Sequence, residues 1–443
     1  MYQPQTEVLK MGEKLTEKVS GGIFAPFACN ESSPNWAGLS GRLTELYGRG
    51  EDFRSPFARD YTRVLHSNAF RRLKHKTQVF FNISNDHTCT RMEHVFHVES
   101  VSSAIANQLG LNAELTRAIS IGHDLGHAPF GHQGETVLNG LSEKWLDRKF
   151  WHEKNGLRMV DRIELLEDHN RVFRNLNLTY AVRDGIISHC GEVDENGLRP
   201  REDTLKNLDE IKAPNEFQAA TWEGCVVKIS DKIAYLGRDI EDADRLGFIS
   251  PNDRLRLAKL ARADGVINTT SIIHSMIIDI CKNSSPAKGI CLSDDYFERL
   301  GKIKAFNYDT IYNNKRFEAY KEYSSLIITQ IFNALNDRYD GAGTVKKLND
   351  LKDFCPRLAA SFIEWLVRYC DEGFVSENFD KEEVKRIETV ENEKIYGSLE
   401  TQAEYAQAII DFISGMTDRY AVEAFNELIT FCNSRLLGGG QER

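Results

Sequence analysis

The stretch Arg91–Glu135, RMEHVFHVESVSSAIANQLGLNAELTRAISIGHDLGHAPFGHQGE, decides the fold. It opens with about twenty residues of amphipathic helical pattern that stop at Gly110. A second helical pattern runs over Ala113–Leu125, and Pro129 and Gly131 separate it from a third over His132–Trp145. The chain has 12 His, yet His94, His97, His123, His127 and His132 all fall in this window, with His152 shortly after. Imidazole is both the commonest neutral metal ligand and the usual acid or base near pH 7. Crowding of that kind predicts a metal site with proton-transfer groups beside it.

Outward from this stretch the chain keeps its helical period. Tyr61, Leu65, Ala69 and Leu73 recur at four-residue spacing and predict one helix over Asp60–Gln78. Residues FFNISNDHTC predict a turn-rich connection or small hairpin. Helical patterns also cover Gly156–Leu166, Leu178–Ser188 and a long segment from Glu216 to Asp244, with further helices between Pro251 and Leu437. There is no βαβ alternation and no internal repeat, so the expected class is all-α. The expected organisation is an N-terminal arm (1–50), a core carrying the histidines (51–250), and a C-terminal helical region (251–443) that completes the pocket and supplies oligomer contacts.

Composition narrows the setting. With 41% hydrophobic and 28% charged residues, the chain can bury a sizeable core. No apolar leader and no uncharged run of about 18 apolar residues occur, which predicts a cytoplasmic protein without membrane contact. The 9 Cys are dispersed without a CxxC pair, as expected of reduced thiols. A net charge of −10 argues against a surface that generally coats nucleic acid. Between Arg54 and Lys76, however, Arg54, Arg59, Arg63, Arg71, Arg72, Lys74 and Lys76 face Asp60 alone. That segment is either a solvated helix face or a patch for an anionic partner.

His94, the adjacent His123 and Asp124, and Asp231 downstream make a mixed nitrogen and oxygen ligand set. It suits a divalent ion such as Mn, Mg, Fe, Co or Ni, with open positions for water. Arg91, one helical turn before His94, is placed to clamp phosphate oxygens. Asp231, Tyr235 and Asp239 stand at i, i+4 and i+8 and share one helix face, flanked by Lys232. His132 and Glu135, at i and i+3, form a candidate proton-transfer pair, with His127 as a phosphate contact or second acid. His97 is given no catalytic role, and His66, His75, His87, His169, His189 and His274 are read as structural or exposed.

In this order, SPFARDYTRVLHSNAFRRLKHKTQVF, TRMEH, HDLGHAPFGHQGE, HEKNGLRM and SDKIAYLGRDIEDA resemble the dGTPase-type deoxynucleoside triphosphate triphosphohydrolases of the HD superfamily. The resemblance runs from about Arg54 to Asp244. It implies an HD-domain helical core that hydrolyses a dNTP, dGTP foremost, at the α-phosphorus to a deoxynucleoside and tripolyphosphate. By the same resemblance Lys232 meets the distal phosphates, His152 contacts phosphate, and Tyr235, Asp239 and Gln78 meet the sugar. His132 with Glu135 match the catalytic pair; activation of water and protonation of the departing 5′-oxygen both stay open for it. A homo-oligomer (hexamer or tetramer), a regulatory dNTP and single-stranded DNA are the implied partners.

Two departures stand out: Glu93 and His97 in RMEHVFHVESV where RLTHSLEV is usual, and Lys228 where relatives carry an acidic residue. The alternatives are another HD-type nucleotide phosphohydrolase or phosphodiesterase, and a non-catalytic nucleotide or single-strand sensor.

Overall fold

In the computed structural model, residues 22–45, 53–80, 88–190, 195–261, 269–385 and 389–430 are described. The fold is all-α. Among these residues the sheet content is one two-stranded antiparallel pair, β1 (Leu165–Glu167) with β2 (Phe173–Asn175), in register Leu166 to Arg174. The helix that opens the deciding stretch, α1 (Arg91–Leu109), starts at a capping box. The Thr90 side chain accepts from the Glu93 N–H, and the Glu93 carboxylate accepts from the Thr90 N–H. Gly110 ends the helix with φ of 82°, a left-handed position that glycine takes without penalty.

The helix expected over Asp60–Gln78 is in fact three pieces. It runs over Pro56–His66, restarts at Asn68–Arg72, and tightens into a 3-10 turn at Leu73–His75. Ser67 causes the break, because its extended backbone frees its hydroxyl to accept from the Phe70 N–H as an N-cap. The pattern over Gly156–Leu166 likewise divides, into a helix at His152–Arg158, a π turn at Met159–Ile163 and then β1. Residues 81–87 of the predicted turn-rich connection lie outside the described residues.

Four helices carry the site. These are α1, α2 (Ala113–Gly122), α3 (Gly131–Leu146) and α4 (Trp222–Arg245). Helix α1 packs against both α2 and α4. Val101, Ile105, Val226, Ile229 and Ile233 share one apolar core with Leu300, Phe306 and Phe317 from further along the chain. The C-terminal helices, α5 (Glu318–Asn336), α6 (Pro356–Tyr369), α7 (Gln402–Ser414) and α8 (Asp418–Ile429), build another core. Phe130 and Leu138, from the edge and first half of α3, are buried in that second core. Each such side chain contributes roughly 1.5–3 kcal/mol on burial. The C-terminal region therefore holds α3 from behind while α3 presents residues to the site.

Two close approaches depend on glycine. A Cβ on Gly126 would lie 2.0 Å from the His152 carbonyl oxygen, so the turn after His123 can touch the helix that starts at His152 only without a side chain. Phe130 and Gly131 both take left-handed backbone, with φ of 63° and 60°. Such a conformation costs Phe130 about 1–3 kcal/mol, and tertiary contacts must hold it. They do. The Phe130 N–H donates to Asp418 Oδ1 at 2.8 Å, and the Tyr320 hydroxyl donates to the Phe130 carbonyl at 3.0 Å.

Candidate active site and metal centre

His94 projects from the first turn of α1, and His123 and Asp124 open a 3-10 turn at the end of α2. Asp231 projects from the middle of α4. Their ligand atoms converge. Asp231 Oδ1 lies 2.9 Å from His94 Nε2 and 3.7 Å from His123 Nε2, and Asp124 Oδ1 lies 3.6 Å from His123 Nε2. One ligand atom from each of His94, His123 and Asp124 lies within 4.8 Å of the others. All three residues are almost fully buried.

The donor set fits a divalent ion. His123 Nδ1 donates to the Ser120 carbonyl at 2.6 Å, which fixes the tautomer and leaves a lone pair on Nε2. That Nε2 is buried without a hydrogen-bond partner. An orphaned acceptor inside a protein costs about 1–3 kcal/mol unless something satisfies it, and a cation does. Asp124 is oriented from two further sides: Arg91 Nη1 donates to Oδ2 at 3.0 Å, and His127 Nε2 stands 2.9 Å from Oδ1. Burial opposes ionisation of Asp124, but the neighbouring His127 and Arg91 outweigh it and hold the carboxyl well below the usual range. Arg91, expected as a phosphate clamp, thus also positions a candidate metal ligand.

These groups floor a cavity of about 430 Å³. Of the residues expected from sequence, Gln78, Arg91, His94, Asp124, His127, His132, His152, Asp231, Tyr235 and Asp239 line it. Glu135 stands behind His152, and His123 lies beneath the floor. Lys232 is buried at only 3% exposure but does not line the cavity, because it sits one residue round the helix from the face that Asp231, Tyr235 and Asp239 share. Gln78 reaches the wall because Thr77 bridges Thr90, beside the start of α1.

The pairing expected of Glu135 with His132 takes a different form. Glu135 Oε2 is 3.1 Å from His152 Nδ1 but 3.6 Å from His132 Nδ1, and Glu135 Oε1 also accepts the His152 backbone N–H at 2.9 Å. The His132 side chain is 66% exposed and leans over the cavity mouth. His152 stacks on His127 with ring centroids 3.9 Å apart. Burial works against charge on His152, yet Glu153 and Glu135 outweigh it and push its pKa up to about 10. Burial also opposes ionisation of Glu135, and the His152 charge holds that carboxyl far down.

Sequence reasoning missed four participants. His189, read as structural, lines the cavity with its ring 5.0 Å from that of His123. Glu153 lines it too and is 1% exposed. Tyr312 and Tyr320 come from the stretch between Tyr308 and Tyr323, beyond the histidine-rich core. The Tyr312 hydroxyl donates to Asp239 Oδ2, and burial pushes the Asp239 pKa up to about 6. His189 had one signal, its place at the end of a helix just as His123 ends another; Tyr312 closes LGKIKAFNYDTIY, a stretch of weaker family resemblance, and Tyr320 had no signal without the fold.

The basic segment is divided: Arg54, Arg71 and Lys74 are exposed, while others turn inward. Arg63 donates to the Leu176 and Asn175 carbonyls, Arg72 pairs with Glu164, and buried Lys76 donates to the carbonyls of His127 and Ser414. These cations hold the scaffold around the site. No helix among the described residues is long and apolar enough to cross a membrane.

Comparison with known proteins agrees with this geometry. The HD domain profile matches residues 91–236, the span from Arg91 to the helix bearing Asp231, and the phosphohydrolase-associated domain profile matches residues 388–427. A deoxyguanosinetriphosphate triphosphohydrolase-like protein of Caldanaerobacter subterraneus subsp. tengcongensis is 31% identical over 417 residues, covering 94% of this chain and 95% of that protein. One of the same description from Clostridium tetani is 28% identical, covering 85% and 86%. A third, from Desulfatibacillum aliphaticivorans, is 37% identical over 58% of this chain and 67% of its own. The chain belongs to the deoxyguanosinetriphosphate triphosphohydrolase-like family of HD-domain hydrolases.

Proposed function

We propose that this protein hydrolyses deoxynucleoside triphosphates, dGTP foremost, at the α-phosphorus, releasing a deoxynucleoside and inorganic tripolyphosphate. The observation that carries the reading is one cavity with three kinds of wall. Its floor is His94, Asp124 and Asp231, with His123 beneath them completing the set. Its lining offers imidazoles and Arg91 to a polyanion, and Tyr235, Asp239 and Gln78 to a sugar.

A divalent ion held by those four ligands would supply an activated water and polarise the α-phosphoryl oxygen. The chain's own residues supply the rest. Arg91 and His127, both in contact with Asp124, stand where phosphate oxygens would approach, so charge spread over the phosphoryl group meets fixed donors. His132 stands at the mouth, open enough to give a proton to the departing 5′-oxygen, with Glu135 Oε2 3.6 Å from its Nδ1. Asp239, held by Tyr312, presents a carboxyl to a sugar 3′-hydroxyl. Close packing around Tyr235 and Tyr312 would reject the 2′-hydroxyl of a ribonucleotide, which a merely roomier pocket could not. Lys232 would act on the distal phosphates only after a change of rotamer. Cytosolic location, assembly into a hexamer or tetramer, and control by a second dNTP belong to the same proposal.

The test is product analysis. Purified protein is incubated with each dNTP and with GTP in Mn²⁺ or Mg²⁺, the products are resolved by ion exchange, and His123→Ala serves as control. Tripolyphosphate and deoxynucleoside in equal amounts, lost in the variant, are expected. Orthophosphate or pyrophosphate with a nucleotide product would move the chemistry to another HD reaction.

A further inference from the structure

Apart from its histidines, the cavity is lined by two basic side chains, Arg91 and Lys321. Arg91 is committed to Asp124. Lys321, in the first turn of α5, is exposed and has no ion-pair or hydrogen-bond partner among the described residues. Nothing in the proposed reaction uses it. A free ammonium on the wall of a polyanion site suggests a phosphate contact, but the neighbours of Lys321 place it elsewhere.

Those neighbours belong with the proposed sugar contacts. Tyr320 donates its hydroxyl to the Phe130 carbonyl at 3.0 Å and lies beside the Thr77 side chain, one residue from Gln78. The Phe317 ring is 5.6 Å from that of Phe80 and 6.1 Å from that of Tyr320. Val79 packs against the same apolar cluster. The start of α5 is thus laid along the segment that carries Gln78, and the π turn before it, Tyr308–Tyr312, brings the Tyr312 hydroxyl to Asp239. Beyond a sugar held by Gln78 and Asp239, a nucleotide continues into its base. Val79 and Phe317 line the cavity there and offer apolar surface to the face of a base.

We propose that Lys321 reads the nucleobase edge and selects guanine and thymine, which present a carbonyl oxygen where adenine and cytosine present an amino group. An ammonium only donates hydrogen bonds. Guanine O6 and N7 accept them, and so does thymine O4. Cytosine meets the ammonium with its N4 donor, and adenine offers N7 alone beside its N6 donor. A donor facing a donor leaves both unpaired, which discriminates far better than a change of pocket size. The amides of Gln133 and Asn313, also in the lining, can donate or accept and so do not choose between the two kinds of base. The inference rests on the dNTP reading of the cavity and sets its base preference, with dGTP and dTTP ahead of dATP and dCTP.

The test compares the four dNTPs on the full chain, as wild type and as Lys321→Met, which keeps the apolar stem and removes the ammonium. For each dNTP kcat/KM is measured, and binding is read separately as the rise in Tm that it gives. Lys321 is exposed, so without nucleotide the two proteins should melt alike. In the wild type dGTP and dTTP should exceed dATP and dCTP, in turnover and in binding. In Lys321→Met that ratio should fall roughly tenfold, through loss on dGTP and dTTP alone. Inhibition by tripolyphosphate, which has no base, should be the same in both proteins. A wild-type ratio near one would overturn the proposal. So would an equal loss on all four dNTPs with weaker tripolyphosphate inhibition, which would assign Lys321 to phosphate. Binding with the expected preference but without tripolyphosphate release would sink the proposed reaction and uphold the base assignment, so the two fail separately.

Discussion

Glu135 accepts its nearer imidazole contact from His152, at 3.1 Å, while His132 stands 3.6 Å away on the solvent side. The carboxylate thus joins two histidines instead of serving one. Glu135→Gln and His132→Ala should each lower kcat by roughly 10²–10⁴-fold with little change in KM. Because the groups act as a unit, the double variant should lose little more than the worse single one. Steady-state kinetics on the fastest dNTP decide it. Multiplying losses would mean the residues act separately.

Asp418 is the second point of leverage. It is buried, accepts from the Thr77 N–H and hydroxyl at 2.9 and 2.8 Å through Oδ2, and accepts the Phe130 N–H through Oδ1. Asp418→Ala strands those donors and releases a strained turn. The expected cost is about 2–4 kcal/mol, read as a lower midpoint in urea. A midpoint equal to wild type would show that the turn holds itself.

Asp239 makes stability depend on pH in a definite direction. Burial raises its folded pKa from the ordinary 3.8 to about 6, so the folded state holds a proton that the unfolded chain has released. Stability therefore declines as pH rises from about 4 through 6, and the full cost is present above 6. Asp239→Asn removes the ionisation and can still accept from Tyr312. It should be more stable than wild type at pH 7, by up to about 3 kcal/mol, and lose that advantage near pH 4. Thermal melts of both proteins across this range give the answer, and parallel curves would refute it.

Metal should stabilise through the same ligands. At a free Mn²⁺ concentration a hundredfold above the dissociation constant, the folded state gains about 2.7 kcal/mol. Wild-type protein should show a higher Tm in Mn²⁺ than in EDTA, and Asp124→Ala should show a much smaller difference. An undiminished shift in that variant would place the ion elsewhere.

Much of this was legible in the sequence because local chemistry dictated it. The RMEH and HDLGH segments carry ligands at helix ends, where a short turn can aim them, and i, i+4, i+8 spacing set Asp231, Tyr235 and Asp239 on one face whatever the rest of the fold does. The pattern could not show that Ser67 prefers to cap a new helix over continuing the old one. Nor could it show that Glu135 would turn toward His152, 17 residues away, because that choice is made by the close approach at Gly126. Tyr312 and Glu153 escaped notice for a similar reason. Each gains its role from a partner that only tertiary folding supplies.

The tie between Asp418 and the Phe130 turn bears on how the protein is made. By the time residue 231 has left the ribosome, every metal ligand named here exists, and the helices that carry them can pair. The turn that leads into His132 still lacks its anchor, which arrives almost 290 residues after Phe130 itself. Until α8 docks, the growing chain holds ligands around a slack active-site loop. A chain that ended before α8 would carry all four proposed ligands yet lack the contact that anchors the turn leading into His132.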